Sequence, residues 1–393
     1  MPGADIKNIV IIGGSYSALG SALAWSQAPL PSHRLIIIEQ KSHFQYVYAF
    51  PRAAVKTGFE ESLFVPYGGL FGGDDRLGQV VRAKATAVKA NTVELDREVP
   101  GFGRSISFTH LIYAAGTTIP APGHFDAYDK QAGIECLKFY QGLIEQSQKP
   151  LIIGGGAVGI ELAAEIKDYY PEKEVTLIHS RDYYLPAYKH SLSQMTYNML
   201  KNTLKVRQIR GDRVHIPEGG FPHEVKPIVV TTKNGKTIET DLAITCIGMT
   251  PNSNLMATFS ECTLHPKTKF IQVKPTLQIR DERYPHIYAV GDVIEHKDVK
   301  TGHYAWNQSV AALQNIINEI TSGAPPAPYV SKDIPLIKLA LGDKKAVTQT
   351  NSLGPLITLG SWIVGRSVPD DLYANFAWLW LKATPNVPDN VER

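Results

Sequence analysis

The feature that most constrains the fold is a pattern that occurs twice: an apolar run, a glycine-rich turn and a segment compatible with a helix. The first copy is residues 9–18 (IVIIGGSYSA) and the second is residues 151–159 (LIIGGGAVG). A continuous apolar run of this kind is typical of a strand buried in a parallel sheet. A second apolar run follows each helical segment, at residues 35–39 and 175–179. We therefore predict two βαβ units, and hence two nucleotide-binding folds in one chain.

The glycine positions in the two turns match a phosphate-binding fingerprint to different degrees. Such a turn presents backbone N–H groups and the positive end of a helix dipole to a pyrophosphate. The second copy is complete, and its glycines are Gly154, Gly156 and Gly159. The first copy is degenerate, and its predicted cofactor-binding residues are Gly13, Gly14, Ser15 and Ala18. Glycine clusters also mark ordinary tight turns, but two copies between a strand and a helix favour nucleotide binding.

The residue that ends the second strand of each unit bears on which nucleotide is bound, because a carboxylate there accepts both ribose hydroxyls. In the first unit this residue is Glu39, at the distance from the glycines that the fingerprint expects. In the second unit it is His179, and Arg181 follows two residues later, where it would attract a 2′-phosphate. Gly159, in contrast, is more usual in turns that bind NAD. These signals conflict, so we expect either NADH or NADPH to be usable.

Composition and cysteine content exclude several classes of protein. Hydrophobic residues are 44% and charged residues 20% of the 393 residues, and the net charge is +3, which excludes a disordered chain and disfavours nucleic-acid binding. The three cysteines, Cys136, Cys246 and Cys262, form no CxxC pair and no metal-ligand spacing. No apolar run long enough for a membrane span and no secretory signal are visible. We predict a cytoplasmic protein without a metal.

Further motifs carry a resemblance to a known family. Residues 109–116 (THLIYAAG), 243–248 (AITCIG) and 287–292 (IYAVGD) resemble the two crossover strands and the second FAD motif of flavoproteins with two dinucleotide folds. Within that glutathione-reductase-like group, residues 159–166 (GIELAAEI) and 170–180 (YPEKEVTLIHS) resemble the apoptosis-inducing-factor-like, ferroptosis-suppressor-type quinone oxidoreductases. The resemblance covers essentially the whole chain.

The resemblance implies an α/β fold with two Rossmann-like dinucleotide-binding domains and a small α+β C-terminal domain. The implied domains are 1–122 and 251–324 for FAD, 123–250 for NAD(P)H, and 325–393 at the C-terminus. Three features depart from the family's pattern: the redox CxxC is absent, Pro2 stands where myristoylation needs glycine, and residues 301–309 (TGHYAWNQS) carry bulky or polar side chains. Any association with membranes or mitochondria is therefore expected to be peripheral.

The resemblance also implies roles for single residues. FAD would be bound by Arg52, which would brace the pyrophosphate, by the backbone of Val81, and by Asp292 of the second FAD motif. The predicted cofactor-binding residues also include the glycines that follow the other motif strands, which are Gly116, Gly248 and Gly291. For Arg52 the alternative is a solvated surface arginine.

The predicted catalytic residues are Glu161, His303 and Gln308. Glu161 lies one turn into the helix after Gly156, on the side expected to face nicotinamide and flavin, where it would hold the carboxamide or relay a proton. Its alternative role is a helix N-terminal carboxylate favoured by the dipole. His303 and Gln308 are predicted on the quinone side of the flavin, and a core or surface role is the alternative for each.

These features together predict an FAD-dependent oxidoreductase that takes a hydride from NAD(P)H and passes electrons to a quinone-like acceptor or oxygen. Two alternatives stay open: a tailoring oxidase of a specialised metabolite, which the altered residues 301–309 motivate, and a signalling flavoprotein with incidental turnover. The expected partner is a small-molecule electron acceptor, with no nucleic acid, and the chain is expected to be a monomer or a homodimer.

Overall fold

The computed structural model describes residues 6–331, 335–351 and 355–384. The prediction that rests on Pro2 lies outside the described residues. Residues 7–118 form β1 (Lys7–Ile12), α1 (Tyr16–Gln27), β2 (His33–Glu39), β3 (His43–Gln45), α2 (Phe50–Ala53), β4 (Phe64–Pro66), β5 (Gly78–Arg82), β6 (Ala85–Val88), β7 (Thr92–Val99), β8 (Gly103–Ser107), β9 (His110–Tyr113) and β10 (Thr117–Thr118). The first predicted βαβ unit is therefore β1, α1 and β2.

The second predicted βαβ unit forms in the middle of the chain. Residues 130–251 form α3 (Lys130–Gln146), β11 (Pro150–Ile153), α4 (Ala157–Tyr169), β12 (Thr176–Ile178), α5 (His190–Asn198), β13 (Arg207–Ile209), β14 (Ile228–Thr231), β15 (Thr237–Thr240), β16 (Leu242–Thr245) and β17 (Thr250–Pro251). Residues 254–322 form α6 (Asn254–Phe259), β18 (Ile271–Gln272), β19 (Ile287–Ala289), β20 (Ile294–Glu295) and α7 (Gly302–Ser322). The last elements are β21 (Ile337–Ala340), β22 (Ala346–Thr350), β23 (Ile357–Leu359), α8 (Ser361–Val364) and α9 (Ala374–Trp380).

Two parallel sheets form the centre of the fold. The first has the strand order β19-β9-β1-β2-β5, and the second has the order β13-β12-β11-β16. The apolar runs lie inside: Ile9, Val10 and Ile11 of β1 and Leu151 and Ile152 of β11 are all 0% exposed. Parallel neighbours need crossover connections, which α1 and α4 provide. The prediction of an α/β fold with two Rossmann-like units is confirmed.

The chain order of the strands shows how the two units are connected. β19 of the first sheet follows the whole second sheet in sequence, so the first fold is built from segments on both sides of the second. After residue 335, β21, β22 and β23 form an antiparallel sheet that is accompanied by α8 and α9. We keep the domain boundaries at residues 122, 250 and 324 as a proposal that agrees with this arrangement.

Close packing of α1 against α7 joins the two separated segments of the first fold. Gly20 of α1 lies directly against the Trp306 ring of α7, where a Cβ would come within 2.8 Å of the indole. The hydroxyl of Ser21, the next residue of α1, lies 2.5 Å from the Ser309 hydroxyl and donates to the Ser309 carbonyl at 3.1 Å. None of the described helices is long and apolar enough to cross a membrane.

Candidate active site

A cavity of about 1230 Å³ opens where both parallel sheets end. Its wall includes the residues that follow β1, β2, β9, β16 and β19, together with the start of α4. In open α/β folds, ligands bind beyond the carboxyl ends of the strands, at such a crevice. The cavity brings together many of the predicted site residues, namely Gly13, Gly14, Ser15, Glu39, Gly116, Gly156, Glu161, Arg181, Gly248, Gly291, Asp292 and His303.

The first glycine turn is held open towards the cavity by its neighbours. Gly13 has a φ of +105°, and a Cβ there would clash with the carbonyl of Ala114, so only glycine fits. The Gly14 N–H donates to Glu39 Oε2 at 2.6 Å, and the Tyr67 hydroxyl donates to the Gly14 carbonyl at 2.8 Å. Glu39 therefore lies at the turn, in the position that suits a carboxylate for ribose hydroxyls.

Three fingerprint residues act in packing and do not line the cavity. Ala18 is fully buried in α1. Gly154 has a φ of +125°, and a Cβ there would come within 2.6 Å of the Cys246 carbonyl oxygen. A Cβ on Gly159 would press on the carbonyl of Gly154. Helix and strand approach each other closely at these positions, which therefore need small residues. Allowing this close packing is the role of the last glycine of the fingerprint.

The second turn repeats the geometry of the first with a different side chain. The Gly155 N–H donates to Nδ1 of His179 at 3.1 Å. The His179 ring lies behind the turn and does not itself line the cavity. Burial and the nearby Arg181 both lower the pKa of His179, so the imidazole is neutral at neutral pH. Gly156 begins α4 as its N-cap and has open space where a Cβ would lie.

Two glycines where the chain crosses between the folds also border the cavity. Gly116 and Gly248 have φ values of +65° and +96°, conformations that favour glycine. The short strands that follow these two glycines, β10 and β17, pair in an antiparallel ladder. The Asn252 side chain supports this crossing, because its amide donates to the Ala115 carbonyl at 2.9 Å and its oxygen accepts from the Thr118 hydroxyl at 2.9 Å.

Two buried hydroxyls on the cavity wall have no partner within the described residues. They belong to Tyr16 at the start of α1 and to Thr301, the N-cap of α7. Gly302 follows Thr301 and lies between two rings, since a Cβ there would meet Tyr16 at 2.6 Å and the Tyr48 hydroxyl at 2.7 Å. Buried hydroxyls are nearly always hydrogen-bonded, so these two indicate a bound group with acceptor atoms at this end of α7. An FAD, with its carbonyl and phosphate oxygens, fits this requirement.

Glu161 faces the cavity from the first turns of α4. Its Oε1 accepts a hydrogen bond from the backbone N–H of Ala340, at 3.3 Å, so the residue also contacts β21 of the C-terminal sheet. Burial raises the pKa of the Glu161 carboxyl to about 8. The group is therefore mostly protonated at neutral pH, in the state that an acid needs in order to donate a proton.

Asp292 lies at the cavity wall in the turn after β19. Burial raises its pKa to about 6, and the positive charge of Lys300 opposes that shift. The preceding Gly291 has a φ of +78°, and its N–H donates to Gln308 Oε1 at 2.8 Å. The turn that carries Asp292 is thus fixed from behind by a side chain of α7.

The structure corrects the predicted role of Gln308. The residue is 2% exposed and does not line the cavity. Its Nε2 donates to Asp298 Oδ2 at 2.8 Å while its Oε1 accepts from Gly291, so both ends of the amide are occupied. Gln308 is a positioning residue for the Gly291 turn, and the prediction of a catalytic contact is wrong. His303, in contrast, is exposed and lines the cavity, with Nε2 at 3.1 Å from Asn307 Nδ2.

We expect the substitution Gln308→Leu to weaken FAD retention by about tenfold, because it leaves the buried Gly291 N–H without its acceptor and removes one donor to the Asp298 carboxylate. The measurement is the dissociation constant of FAD from the apoprotein, followed by flavin fluorescence. Gln314→Leu is the matched control, because Gln314 lies exposed on the same helix and its amide donates to the side chain of Asn318. Equal FAD affinity in the Gln308 variant and the parent would contradict the positioning role.

The predictions for Arg52 and Val81 are also wrong. Arg52 is 2% exposed, lies outside the cavity wall, and forms an ion pair of 2.9 Å with Glu165 of α4. Its guanidinium also donates to the carbonyls of Gly342 at 2.9 Å and Asp370 at 3.2 Å, so each of its three nitrogens already donates to a partner within the protein. Val81 is 2% exposed in the interior of β5, and the cavity wall begins two residues later, at Ala83.

Several cavity residues were not identified from the sequence. A cluster of aromatic side chains comes from residues 44–48 (FQYVY), whose density of rings was the available signal. Next to Glu39, the Lys41 ammonium lies 2.7 Å from Gln45 Oε1 and 2.9 Å from His124 Nε2. Burial lowers the pKa of His124 to about 4, so its ring is neutral and accepts a hydrogen bond from the Lys41 ammonium. The two described C-terminal ranges, 335–351 and 355–384, also contribute to the cavity wall, with Leu336, Ile337, Leu339, Val368, Leu372 and Tyr373 among the lining residues.

Comparison with known proteins agrees with this geometry. The pyridine nucleotide-disulphide oxidoreductase family matches residues 7–309. The chain is 29% identical to the mouse ferroptosis suppressor protein 1 over 386 residues, which is 96% of each chain. It is 30% identical to Fe-regulated protein 8 of Mycosarcoma maydis over 382 residues, which is 90% of this chain and 91% of that one.

Two solved structures share the fold. The sulfide:quinone oxidoreductase of Aquifex aeolicus superimposes with a TM-score of 0.72 at 19% identity, over 96% of this chain and 92% of that one. The NDH2 of Plasmodium falciparum in complex with NADH gives 0.71 at 12% identity, over 92% of both chains. Neither a CxxC pair in the sequence nor, among the described residues, a group of three or more potential metal ligands is present.

Three observations agree on the family of this chain. They are the match over most of its length, the two nucleotide turns and the orphaned hydroxyls at the end of α7. FAD would supply the redox chemistry, the first turn, Glu39 and Asp292 would hold it, and the second turn would hold the nicotinamide nucleotide. The chain therefore belongs to the pyridine nucleotide-disulphide oxidoreductase family, and it is an FAD-dependent NAD(P)H oxidoreductase.

Proposed function

We propose that this oxidoreductase passes the electrons of NAD(P)H to a quinone-like acceptor. The observation that carries the proposal is the position of Glu161, whose pKa is raised to about 8 by burial and which faces a cavity with an apolar and aromatic wall. Leu336, Ile337 and Leu339 form part of that wall, and Tyr48 and Tyr373 add aromatic rings. A planar, largely apolar acceptor matches these side chains, and the single acid matches an acceptor that takes up a proton with its electrons.

The stoichiometry of quinone reduction requires a source of one proton. The net reaction converts NAD(P)H, one proton and a quinone into NAD(P)⁺ and a quinol, so one proton has to come from the protein or from water. Glu161 is protonated at neutral pH because of its burial, and it can supply this proton and recover it from solvent. The hydrogen bond from Ala340 holds the Glu161 carboxyl at the boundary between α4 and the C-terminal sheet.

The cysteine content and the relatives also support the proposal. With only Cys136, Cys246 and Cys262 and no CxxC pair, electrons have no dithiol through which to leave. A diffusible acceptor is then required. One protein with the same fold is named as a sulfide:quinone oxidoreductase, and several curated relatives are ferroptosis suppressor proteins. Cytoplasmic location, peripheral membrane contact and a monomeric or homodimeric state stay predictions.

The structure removes the observation that motivated a tailoring oxidase. Of the bulky residues in 301–309, only His303 lines the cavity. Tyr304 is buried, Trp306 packs on Gly20, and Gln308 is bonded to Gly291 and Asp298. The altered segment therefore mostly packs and bonds within the first fold and adds one bulky side chain, that of His303, to the cavity wall.

The experiment that tests the proposal is stopped-flow reduction of the purified holoprotein without oxygen. NADH or NADPH should bleach the flavin absorbance, and a short-chain quinone should restore it much faster than dissolved oxygen does. If neither nucleotide bleaches the flavin, the oxidoreductase assignment itself is in error. If the reduced flavin is reoxidised no faster by quinones than by oxygen, the quinone acceptor is rejected. Slow turnover with every acceptor would favour a signalling flavoprotein.

A further inference from the structure

The two glycine turns allow a comparison within one molecule. In the first, the N–H of Gly14 donates to the Glu39 carboxylate at 2.6 Å, and in the second, the N–H of Gly155 donates to His179 Nδ1 at 3.1 Å. Glu39 ends β2, and His179 directly follows the end of β12. The same backbone donor thus faces an anion in one fold and an imidazole in the other.

This exchange changes which ribose the second turn accepts. A carboxylate at this position accepts hydrogen bonds from ribose hydroxyls and repels a 2′-phosphate. His179 carries no negative charge, so it does not repel a phosphate. Gly159, the one signal in favour of NAD, is explained by packing, since a Cβ there would press on the Gly154 carbonyl. It therefore gives no information about the nucleotide.

Arg181 supplies a positive charge beside this position. It is exposed, it lines the cavity, and its guanidinium makes no hydrogen bond or ion pair with any other residue in the described ranges. The carboxylate of its neighbour Asp182 lies against Gly211, where a Cβ would come within 2.5 Å of Oδ1. An arginine with free donors at a cavity edge is well suited to bind a phosphate in a bidentate manner.

We propose that Arg181 binds the 2′-phosphate of NADPH and that the enzyme prefers NADPH to NADH for this reason. The proposal concerns the nucleotide site alone and does not depend on the identity of the electron acceptor. It refines the expectation, drawn from the sequence, that either nucleotide is usable.

The test measures binding of two fragments to the holoprotein by isothermal titration calorimetry. These probes are 2′,5′-ADP and 5′-AMP, which differ by the 2′-phosphate alone. The parent should bind 2′,5′-ADP at least about tenfold more tightly, as expected for charge-assisted hydrogen bonds to one arginine. Arg181→Ala should remove most of this ratio, and Arg181→Lys should keep part of it, since lysine retains the charge but not the fork.

Two further variants separate a specific contact from a general charge effect. Arg207→Ala removes the same charge at the start of β13, the opposite end of the neighbouring strand, and should leave the ratio as in the parent. His179→Glu restores the carboxylate of the first turn and should reverse the preference towards 5′-AMP. Equal affinity of the parent for both probes would overturn the proposal, and so would an equal loss for both probes in Arg181→Ala. Failure of flavin reduction would count against the enzymatic function and not against this inference.

Discussion

Replacing Arg52 with alanine should destabilise the folded holoenzyme by about 3–5 kcal/mol, because the change leaves the Glu165 carboxylate buried without its partner. The two side chains are 2% and 8% exposed, and they lie 2.9 Å apart. The same guanidinium also donates to the carbonyls of Gly342 and Asp370. It therefore joins α2 of the first fold, α4 of the second and two parts of the C-terminal segment.

The measurement is urea unfolding followed in parallel by tryptophan and flavin fluorescence, because several domains need not unfold in one step. Lys345→Ala is the matched control: the pair of Lys345 with Asp168 is also short, at 2.6 Å, but the two side chains are 31% and 19% exposed. Such a partly exposed pair contributes about 0–1 kcal/mol. If the two variants lose similar stability, the buried ion pair does not join the domains as we infer.

Replacing Glu161 with glutamine should slow reoxidation of the reduced flavin by a quinone by about 10²–10⁴-fold, the usual contribution of a positioned acid. In the parent, the pKa of about 8 means that the donating form is present below that pH. The reoxidation rate should therefore fall as the pH rises through about 8. In Glu161→Gln this inflection should be absent, because the amide does not titrate.

Stopped-flow reoxidation between pH 6 and pH 10 at roughly one-unit steps would measure both effects, since a single titration spans about two units around its pKa. Glu135→Gln serves as the control, because Glu135 is exposed on α3 and lies outside the cavity wall. The FAD content of each variant shows whether the cofactor is retained. An inflection near pH 8 that persists in Glu161→Gln would assign the titrating group to another residue.

The local elements of the site were predictable from the sequence because each is encoded in a short segment. The apolar strand, the glycine turn and the following helix lie within one short segment, residues 7–27 in the first copy and 150–169 in the second. Gly13 and Gly154 need their positive φ values for the same reason in either copy. The position of Glu39 beside the first turn was predictable because it ends the strand that such a turn faces.

The residues misplaced by the sequence are those whose partners lie far away in the chain. Arg52 was expected at the cofactor, but Glu165 and Gly342, 113 and 290 residues further on, take up its donors. Gln308 was expected to contact substrate, but Gly291 and Asp298 bind both ends of its amide. No local pattern distinguishes a guanidinium or an amide that meets a ligand from one that meets a buried partner.

The sequence by itself determined the two nucleotide-binding folds, the absence of a CxxC pair and the set of glycines, since backbone conformation and residue type are local properties. Only the tertiary structure decided how the C-terminal segment completes the cavity and places the Ala340 N–H on Glu161. It also decided that the carboxyl of Glu161 is buried enough to hold a proton near neutral pH. The physical reason is that burial and long-range hydrogen bonds depend on which distant segments pack together.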